Sequence, residues 1–210
     1  QTKDIKGMVS LNDGRLNATS LLKTLNTYLK NKKVNFLEDK VIKIRKSKNL
    51  WIATSKNNHE IKSEIIILCN SLDAIDLIDN LSHNIKLKPV LGQAIEIGVN
   101  DAEVNLLSLP KQLNINGKNI IPVSKDKLII GSTDEYSTKP EDKIFEKLTN
   151  FIDKKPSWLM NGQILRQWFG IRSKPEGEPS PIMRNLENGL FICTGFYKNG
   201  ILLAPACSKW

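Results

Sequence analysis

GLFICTGFYKNGILLAP, residues 189–205, is the stretch on which the fold of this chain depends. The apolar run 190–193 between two glycines predicts a short strand buried on both faces, as in parallel sheets. Gly195 and Gly200 then bracket a turn, and Asn199 is predicted to cap an apolar helix that begins near Gly200. The first N–H groups of a helix lack intrahelical acceptors and carry a partial positive charge, so this end suits a negatively charged group. The same pattern also occurs in ordinary strand–turn–helix units that bind nothing.

The composition is that of a folded chain without membrane spans. Of the 210 residues, 40% are hydrophobic, which supports either one large domain or two small ones. No apolar run approaches the ~20 residues that a membrane span requires, so we expect no membrane insertion. The net charge of +9 suggests a nucleic-acid partner, but only five of the 31 basic residues are Arg and the lysines are scattered. A basic nucleic-acid-binding module is therefore the disfavoured alternative of a different class.

The cysteines and histidines indicate neither a disulfide framework nor a metal site. Cys69, Cys193 and Cys207 lie far apart in the sequence and in apolar or helical contexts, which is typical of an intracellular protein. We therefore expect a cytoplasmic location. His59 and His83 are isolated and have no ligand-like spacing to other cysteines or carboxylates, so no metal site is predicted.

The order of predicted elements indicates one kind of fold interrupted by another. Residues 1–84 show helix and strand patterns at 20–31, 34–37, 41–45, 50–55, 60–62, 65–69 and 71–81. Residues 85–172 show mostly strand patterns, at 87–99, 104–109, 112–115, 119–123, 127–132 and 163–172, with one helix at 141–152. A loop from 173 to 181 leads back to the first stretch. The prediction is an α/β and α+β fold, in which pieces of an α/β domain at 1–84 and 173–210 are interrupted by a mostly antiparallel β-sheet domain at 85–172 with one or two helices.

Arg172 is the most informative candidate site residue. It follows Trp168-Phe169-Gly170-Ile171, so we expect it at the end of a strand and facing the interior. A buried guanidinium requires an anionic partner, and its planar fork suits a carboxylate. A bound substrate and an internal salt bridge both satisfy that requirement, and the residues alone leave the two open. Tyr136, Tyr197 and Lys198 are similarly open between contact with a ligand and ordinary packing or exposure.

Five motifs together resemble the D-amino-acid-oxidase-like flavoprotein family, and within it the glycine-oxidase branch of thiamine biosynthesis. GFYKNGILLAPA at 195–206 is similar to GHYRNGILLAPA of that branch, and WFGIRSKP at 168–175 is similar to its WxGxRxxP. Weaker matches are DGRLN at 13–17, PVLGQ at 89–93 and NIIPVSKDKLIIGSTDE at 119–135. The motifs occur in the order of the family and span nearly the whole chain.

The resemblance implies an FAD-binding domain and a β-sheet substrate-binding domain. It also implies oxidative deamination of a small amino acid or amine, with hydride transfer from the substrate Cα to flavin N5 and O₂ as acceptor. Arg172 matches the arginine that holds the substrate carboxylate, and Tyr197 is expected beside the substrate. The segment that matches the one beside the isoalloxazine ring consists of Gly195, Phe196, Tyr197, Lys198, Asn199, Gly200, Ile201 and Leu202.

The chain departs from the family pattern at several positions. Phe196 stands where the family often has His, Lys198 where it has Arg, and Cys69-Asn70-Ser71 where it has Ala-x-Gly. No two glycines lie two residues apart, so the GxGxxG dinucleotide fingerprint does not occur. The first residue is Gln1, and the last helix shows no stop signal before Trp210. We expect a piece of a longer protein that alone neither binds FAD nor catalyses a reaction.

Two alternatives to the glycine-oxidase type have the same fold. In these alternatives the parent protein is instead an oxidase or dehydrogenase of the sarcosine type, or one that acts on modified tRNA. The sequence leaves the amine substrate and the oligomeric state open.

Overall fold

The computed structural model describes residues 15–115, 117–150 and 155–210. The helices in these ranges are α1 Ala18–Asn31, α2 Ala74–Ile78, α3 Ile144–Thr149, α4 Ser157–Met160 and α5 Gly200–Cys207. The strands are β1 Val41–Ser47, β2 Leu50–Ser55, β3 Glu60–Ser63, β4 Ile66–Leu68, β5 Leu87–Gly98, β6 Leu113–Ile115, β7 Lys118–Pro122, β8 Lys127–Gly131, β9 Gln163–Pro175, β10 Ile182–Glu187 and β11 Leu190–Thr194. None of the helices in the described ranges is long and apolar enough to cross a membrane.

The chain divides into two compact units, each assembled from three stretches. One contains the described residues of Gln1–Phe36, Gly92–Asp134 and Lys139–Gly170, and the other contains Leu37–Leu91, Glu135–Thr138 and Ile171–Trp210. We call them unit 1 and unit 2. These bounds differ from the predicted domain bounds, most of all in placing the helix α1 with unit 1. Compactness does not show what each unit binds, so the division into an FAD-binding and a substrate-binding domain stays a prediction.

Unit 2 carries two three-stranded sheets around one apolar core. The order β1-β2-β3 is an antiparallel meander, as the alternating sequence of 41–62 predicted. The second sheet has the order β10-β11-β4, with β11 antiparallel to β10 and parallel to β4. Trp51, Ile78, Leu190 and Ile192 are among the side chains buried in the core.

The strands of the second sheet are less buried than the sequence predicted. Along β11 buried positions alternate with partly buried ones, so that Leu190, Ile192 and Thr194 face the core. On β4, Ile67 is 61% exposed and only Leu68 is buried. The prediction of burial on both faces is wrong here, because only one face of this sheet is covered by apolar side chains of the described core.

Unit 1 contains most of a five-stranded sheet with the order β6-β7-β8-β5-β9, of which residues 87–91 of β5 and 171–175 of β9 belong to unit 2. The pairs β6–β7, β7–β8 and β5–β8 are antiparallel, which agrees with the mostly antiparallel sheet predicted for this part of the chain. Ile95, Ile97, Leu128 and Ile130 of the sheet are buried against apolar residues of α3 and α4. In α1 no residue is buried, although its apolar residues have helical spacing.

Several predicted elements differ from those observed. Residues 34–38 form no strand, and 104–109 contain a 3-10 turn at Leu106–Ser108 instead of a strand. The strand β10 and the helix α4 were not predicted, and β9 continues through Pro175 where a loop was expected. The first two residues of the DGRLN match, 13–14, and the end of the predicted helix at 151–152 lie outside the described residues.

Candidate active site

The turn after β11 requires glycine at its first position. Gly195 has a φ of 67°, and a Cβ at this residue would lie 2.8 Å from Cγ of Pro175. Both the left-handed backbone and the close approach exclude larger residues. The turn is fixed at this point because the Ser180 hydroxyl donates to the Gly195 carbonyl over 2.6 Å, and the Thr194 hydroxyl donates to the Ser71 carbonyl over 3.0 Å.

The start of α5 presents backbone N–H groups without an intrahelical acceptor. Asn199 stands at the N-cap position as predicted, but its side chain makes no capping hydrogen bond within the described chain. The first bond into the helix runs from the Leu203 N–H to the Asn199 carbonyl, at 2.9 Å. The N–H groups of Gly200, Ile201 and Leu202 precede that bond and point out of the helix end. Together with the helix dipole they favour a negatively charged or electron-rich acceptor.

Arg172 lies on the strand β9, and the next residue of that strand is hydrogen-bonded to this turn. Arg172 is half-buried and lies within the strand, which continues to Pro175 instead of ending at Arg172 as expected. The Tyr197 N–H donates to the carbonyl of the next residue, Ser173, over 3.1 Å. The buried Ser173 side chain accepts a hydrogen bond of 3.0 Å from the Ser71 hydroxyl. The turn and β9 are therefore joined one residue beyond Arg172.

Lys174 follows Arg172 on the same strand and contacts two tyrosines from other parts of the chain. Side chains two residues apart on a strand share a face, so Arg172 and Lys174 lie on the same side of β9. The Lys174 ammonium donates to the Tyr136 hydroxyl over 3.0 Å and lies 5.4 Å from the ring centre of Tyr197. The ammonium of Lys198 lies 5.2 Å from the same ring. The face that carries Arg172 thus meets the glycine turn through Tyr197.

Ser71 occupies the position where the family pattern has glycine. Its φ of 58° is in the left-handed region that favours glycine, so the local backbone keeps the conformation that the glycine would have. Sequence reasoning missed Ser71 and Lys174 as members of this site, and it left Tyr136 open between contact with a ligand and ordinary packing. The available signals were the Ala-x-Gly comparison for Ser71 and, for Lys174, its place two residues after Arg172.

Two cavities of the described chain lie away from Arg172 and the turn. One cavity of about 300 Å³ is lined by Asn100, Asp101, Ala102, Glu103, Trp158 and Asn161, and an apolar one of about 160 Å³ lies next to the core of unit 1. Neither is lined by Arg172 or by the turn 195–202. No group of three His, Cys, Asp or Glu residues in the described chain has the geometry to hold a metal ion.

The three cysteines, which are distant in sequence, come together in unit 2. Cys193 on β11 interacts with Cys207 on α5 and with Cys69, which follows β4 next to it in the parallel register. Partial burial, and then the neighbouring thiols, raise the pKa of Cys193 to about 11. All three are free thiols.

A helix start with open N–H groups beside a strand that presents an arginine suits an anionic cofactor or substrate, and sequence comparison assigns the class. The model of the family described as FAD dependent oxidoreductase matches residues 2–210, and the chain belongs to this family. Among curated relatives, it is 30% identical to the glycine oxidase of Pseudomonas aeruginosa over 164 residues, which are 75% of this chain and 43% of that protein.

Solved structures show the same fold. The glycine oxidase of Bacillus cereus matches with a TM-score of 0.68 and 19% identity, over 83% of this chain and 48% of that one. The iminodiacetate oxidase of Chelativorans sp. BNC1 matches with a TM-score of 0.71 and 15% identity, over 90% of this chain and 52% of that one. The predicted family and fold class are confirmed. The chain spans about half the length of these relatives, or less.

The residues present fit one part of FAD, the cofactor of the family. The N–H groups of Gly200, Ile201 and Leu202 suit the electron-rich oxygen edge of a flavin ring, because that edge gains negative charge on reduction. Phe196 and Tyr197 in the preceding turn are partly buried and offer apolar surface to a ring. The pyrophosphate of FAD is bound by a different element, the glycine-rich turn with the sequence GxGxxG. This motif does not occur in the 210 residues.

Proposed function

We propose that the full-length protein encoded by the gene for this chain catalyses FAD-dependent oxidative deamination of a small amino acid or amine. In this proposal Arg172 binds the substrate carboxylate, Tyr197 lies beside the substrate, and the segment 195–202 contacts the flavin ring. The observation that carries it is the hydrogen bond from the Tyr197 N–H to the Ser173 carbonyl, at 3.1 Å. This bond ties the cofactor segment to the strand one residue beyond the arginine.

Arg172 acts by positioning the substrate. A guanidinium binds a carboxylate through two parallel hydrogen bonds, which fixes the orientation of the Cα–H bond as well as the position of the acid. Holding the reacting atoms in a near-attack geometry supplies much of the rate enhancement in such reactions. When FAD is bound it supplies the redox chemistry, acceptance of a hydride at flavin N5 and transfer of two electrons to O₂ with release of H₂O₂.

The helix start would stabilise charge that develops during the reaction. Fixed N–H groups that point to a developing negative charge need no reorganisation, and they are therefore more effective than water. Gly200, Ile201 and Leu202 provide such groups because Asn199 does not use its side chain to cap them. Gly195 and Ser71 maintain the shape of the turn that places this helix end next to β9.

The test is substitution of Arg172 in the full-length protein, with peroxide release from glycine as the assay. Arg172→Lys keeps the charge and removes the fork, and we expect kcat/KM to fall on the order of 100-fold, with a larger fall for Arg172→Leu. The matched control is Arg184→Met, because Arg184 is exposed and pairs with Glu178 on the surface. Loss of such a surface pair should leave kcat/KM within about twofold.

Retention of near-native kcat/KM by Arg172→Leu, with flavin bound, would assign Arg172 to a structural salt bridge and refute its substrate role.

A substrate screen separates the members of the family. Turnover of glycine supports the glycine-oxidase type, turnover of N-methylated amines alone supports a sarcosine type, and electron transfer to a dye but not to O₂ supports a dehydrogenase. Turnover of modified tRNA alone supports the remaining type.

The location and pathway belong to the same proposal. Three free thiols within one unit favour a reducing compartment, and we place the protein in the cytoplasm on that ground. A role in thiamine biosynthesis rests on the similarity of residues 195–206 to the glycine-oxidase branch. Oxidation of glycine by the purified protein is the minimum requirement for this role.

A further inference from the structure

We propose that Lys174 is a positioning residue of the candidate active site, where it holds Tyr136 and Tyr197 together as one wall on the face of β9 that carries Arg172. The inference rests on the proposed function, because it concerns the same site. It adds Lys174, which stands at an unspecified position of the WxGxRxxP motif, and Tyr136, which directly follows the match at 119–135.

Lys174 contacts both tyrosines at once. Its ammonium donates to the Tyr136 hydroxyl over 3.0 Å and lies 5.4 Å from the centre of the same ring. The ring centre of Tyr197 is also 5.4 Å away. Distances below about 6 Å give an attractive interaction between a cation and an aromatic face. One lysine therefore links residues that are separated by 61 positions in the sequence.

Neither tyrosine is fixed by burial. Tyr136 is 71% exposed, and it belongs to the short stretch 135–138 that joins unit 2 between two stretches of unit 1. Tyr197 is half-buried, and its backbone is fixed by the bond to Ser173. A backbone bond does not set the χ angles of a side chain, so each ring has rotamer freedom that side-chain contacts restrict. Tyr197 also contacts the Lys198 ammonium, which lies 5.2 Å from its ring centre. Contact with a common lysine removes part of this freedom on both sides.

The position of Lys174 makes the contact relevant to the substrate. Because Arg172 and Lys174 share a face of β9, the wall formed by the tyrosines stands next to the guanidinium that would hold the carboxylate. A wall in a fixed position lowers the entropy lost when a small ligand binds, which improves binding more than it changes chemistry. The expected signature is a change in KM with little change in kcat.

The experiment uses the full-length flavoprotein with three single substitutions and one double substitution. Lys174→Met removes both contacts, and we expect KM to rise roughly tenfold with kcat within about twofold. Tyr136→Phe removes the hydrogen bond and keeps the ring, so a rise of about threefold is expected. Lys174→Arg should restore most of the affinity, because a guanidinium can donate to a phenol and lie over a ring. Lys174→Met combined with Tyr136→Phe should raise KM no further than Lys174→Met alone, as expected for residues in direct contact.

The matched control is Lys46→Met. The Lys46 ammonium lies 5.4 Å from the Trp51 ring, the same kind of contact in the same unit, at residues outside the site. We expect kcat and KM of this variant to stay within about twofold of the parent. Circular dichroism of each variant shows whether the fold is retained, and Tyr136→Phe, with its expected rise in KM, provides the test if Lys174→Met does not fold.

NMR of proteins with labelled tyrosines gives a readout that is independent of turnover. Lys174→Met should shift the ring signals of both Tyr136 and Tyr197, and Lys46→Met should shift neither. Shifted rings with an unchanged KM in an active enzyme would overturn the positioning role while leaving the proposed function intact. Absence of amine turnover by the parent protein, despite bound flavin, would overturn both, and the NMR result would still report whether the contact exists.

Discussion

Three residues with left-handed backbones surround the candidate site, and only one of them is glycine. Their φ angles are 58° for Ser71, 67° for Gly195 and 52° for Tyr197. A residue with a Cβ pays roughly 1–2 kcal/mol for this conformation, so other interactions must impose it. Hydrogen bonds do so here, since Ser71 uses its hydroxyl and its carbonyl and Tyr197 uses its N–H. This pattern is typical of backbones that are fixed for function.

Cys193 provides a prediction that depends on pH. Partial burial beside Cys69 and Cys207 raises the pKa of Cys193 from 9.0 to about 11, so the neutral thiol is favoured in the folded protein. At pH 8 the thiolate fraction is then on the order of 100-fold lower than in the unfolded chain. We expect Cys193 to react with iodoacetamide more slowly by about that factor before unfolding in urea than after it. Mass spectrometry of the peptide that contains Cys193 gives both rates.

The same pKa fixes the sign of a stability change. A group whose pKa is raised on folding stabilises the protein below its unfolded pKa of 9.0, and this contribution is lost as the pH rises toward about 11. The variant Cys193→Ala should therefore show a smaller decrease in the free energy of unfolding than the parent between pH 9 and pH 11. An equal decrease in the two proteins, or equal alkylation rates in native and unfolded protein, would contradict the burial of this thiol.

At the scale of elements, the hairpin of β10 and β11 depends on its second turn residue. Asn-Gly between two apolar runs is a strong hairpin signal, and it is the local feature that marks β10 in the sequence. In the structure, only Gly189 of the two-residue turn Asn188-Gly189 has a positive φ. Gly189 has a φ of 82°, and a Cβ there would overlap the Glu64 carbonyl. The turn is held on one side by the Trp51 indole N–H, which donates to the Asn188 carbonyl over 3.0 Å. On the other side the Ile66 N–H donates to the Gly189 carbonyl over 2.8 Å.

Gly189→Ala should destabilise unit 2 by more than the backbone strain alone. The control is Gly177→Ala, since Gly177 has a similar φ of 78° but a Cβ added there would meet no atom within 4 Å. We expect Gly177→Ala to lower the free energy of unfolding by roughly 1–2 kcal/mol and Gly189→Ala by a clearly larger amount. Urea denaturation monitored by Trp51 fluorescence measures both. Equal losses would show that the β4 start moves aside without cost.

Elements with a regular pattern and a clear end signal were predictable. Elements that depend on a side-chain cap, and burial that depends on packing against other elements, were not. The meander at 41–62 and the strand–turn–helix at 190–207 followed from alternation and from the glycines. The segment 104–109 has the composition of a strand, but the Asn105 side chain accepts from the Leu107 N–H and starts a 3-10 turn. Burial of β4 could not be predicted, because a run of isoleucines does not show which of its faces will be covered.

At the scale of the whole molecule, the sequence indicated candidate site residues only where they stand in a local motif. Arg172 and the segment 195–202 were named on that basis, and their roles in a site stay predictions. Tyr136 and Lys174 meet across 38 positions, and no local pattern marks such a contact. The clustering of Cys69, Cys193 and Cys207 was missed for the same reason, since it arises from the parallel register of β4 and β11.

The described residues contain groups for only one part of FAD. The open N–H groups at the start of α5 can bind one end of a flavin, but a single helix start contributes only about 1–2 kcal/mol to the binding of an anion. The pyrophosphate of a dinucleotide is bound by a glycine-rich turn at a helix N-terminus, and no GxGxxG occurs in the 210 residues.

Residues 1–210 produced alone should therefore be colourless after purification and should lose added FAD on dialysis. The comparison is the protein produced at the full length that its gene encodes, which should retain the visible absorption of flavin. Stoichiometric flavin in residues 1–210 alone would contradict the prediction. It would mean that the pyrophosphate is held by groups in this chain other than a dinucleotide fingerprint, and Gly200→Pro would then test the helix start directly, because proline removes one of its N–H groups.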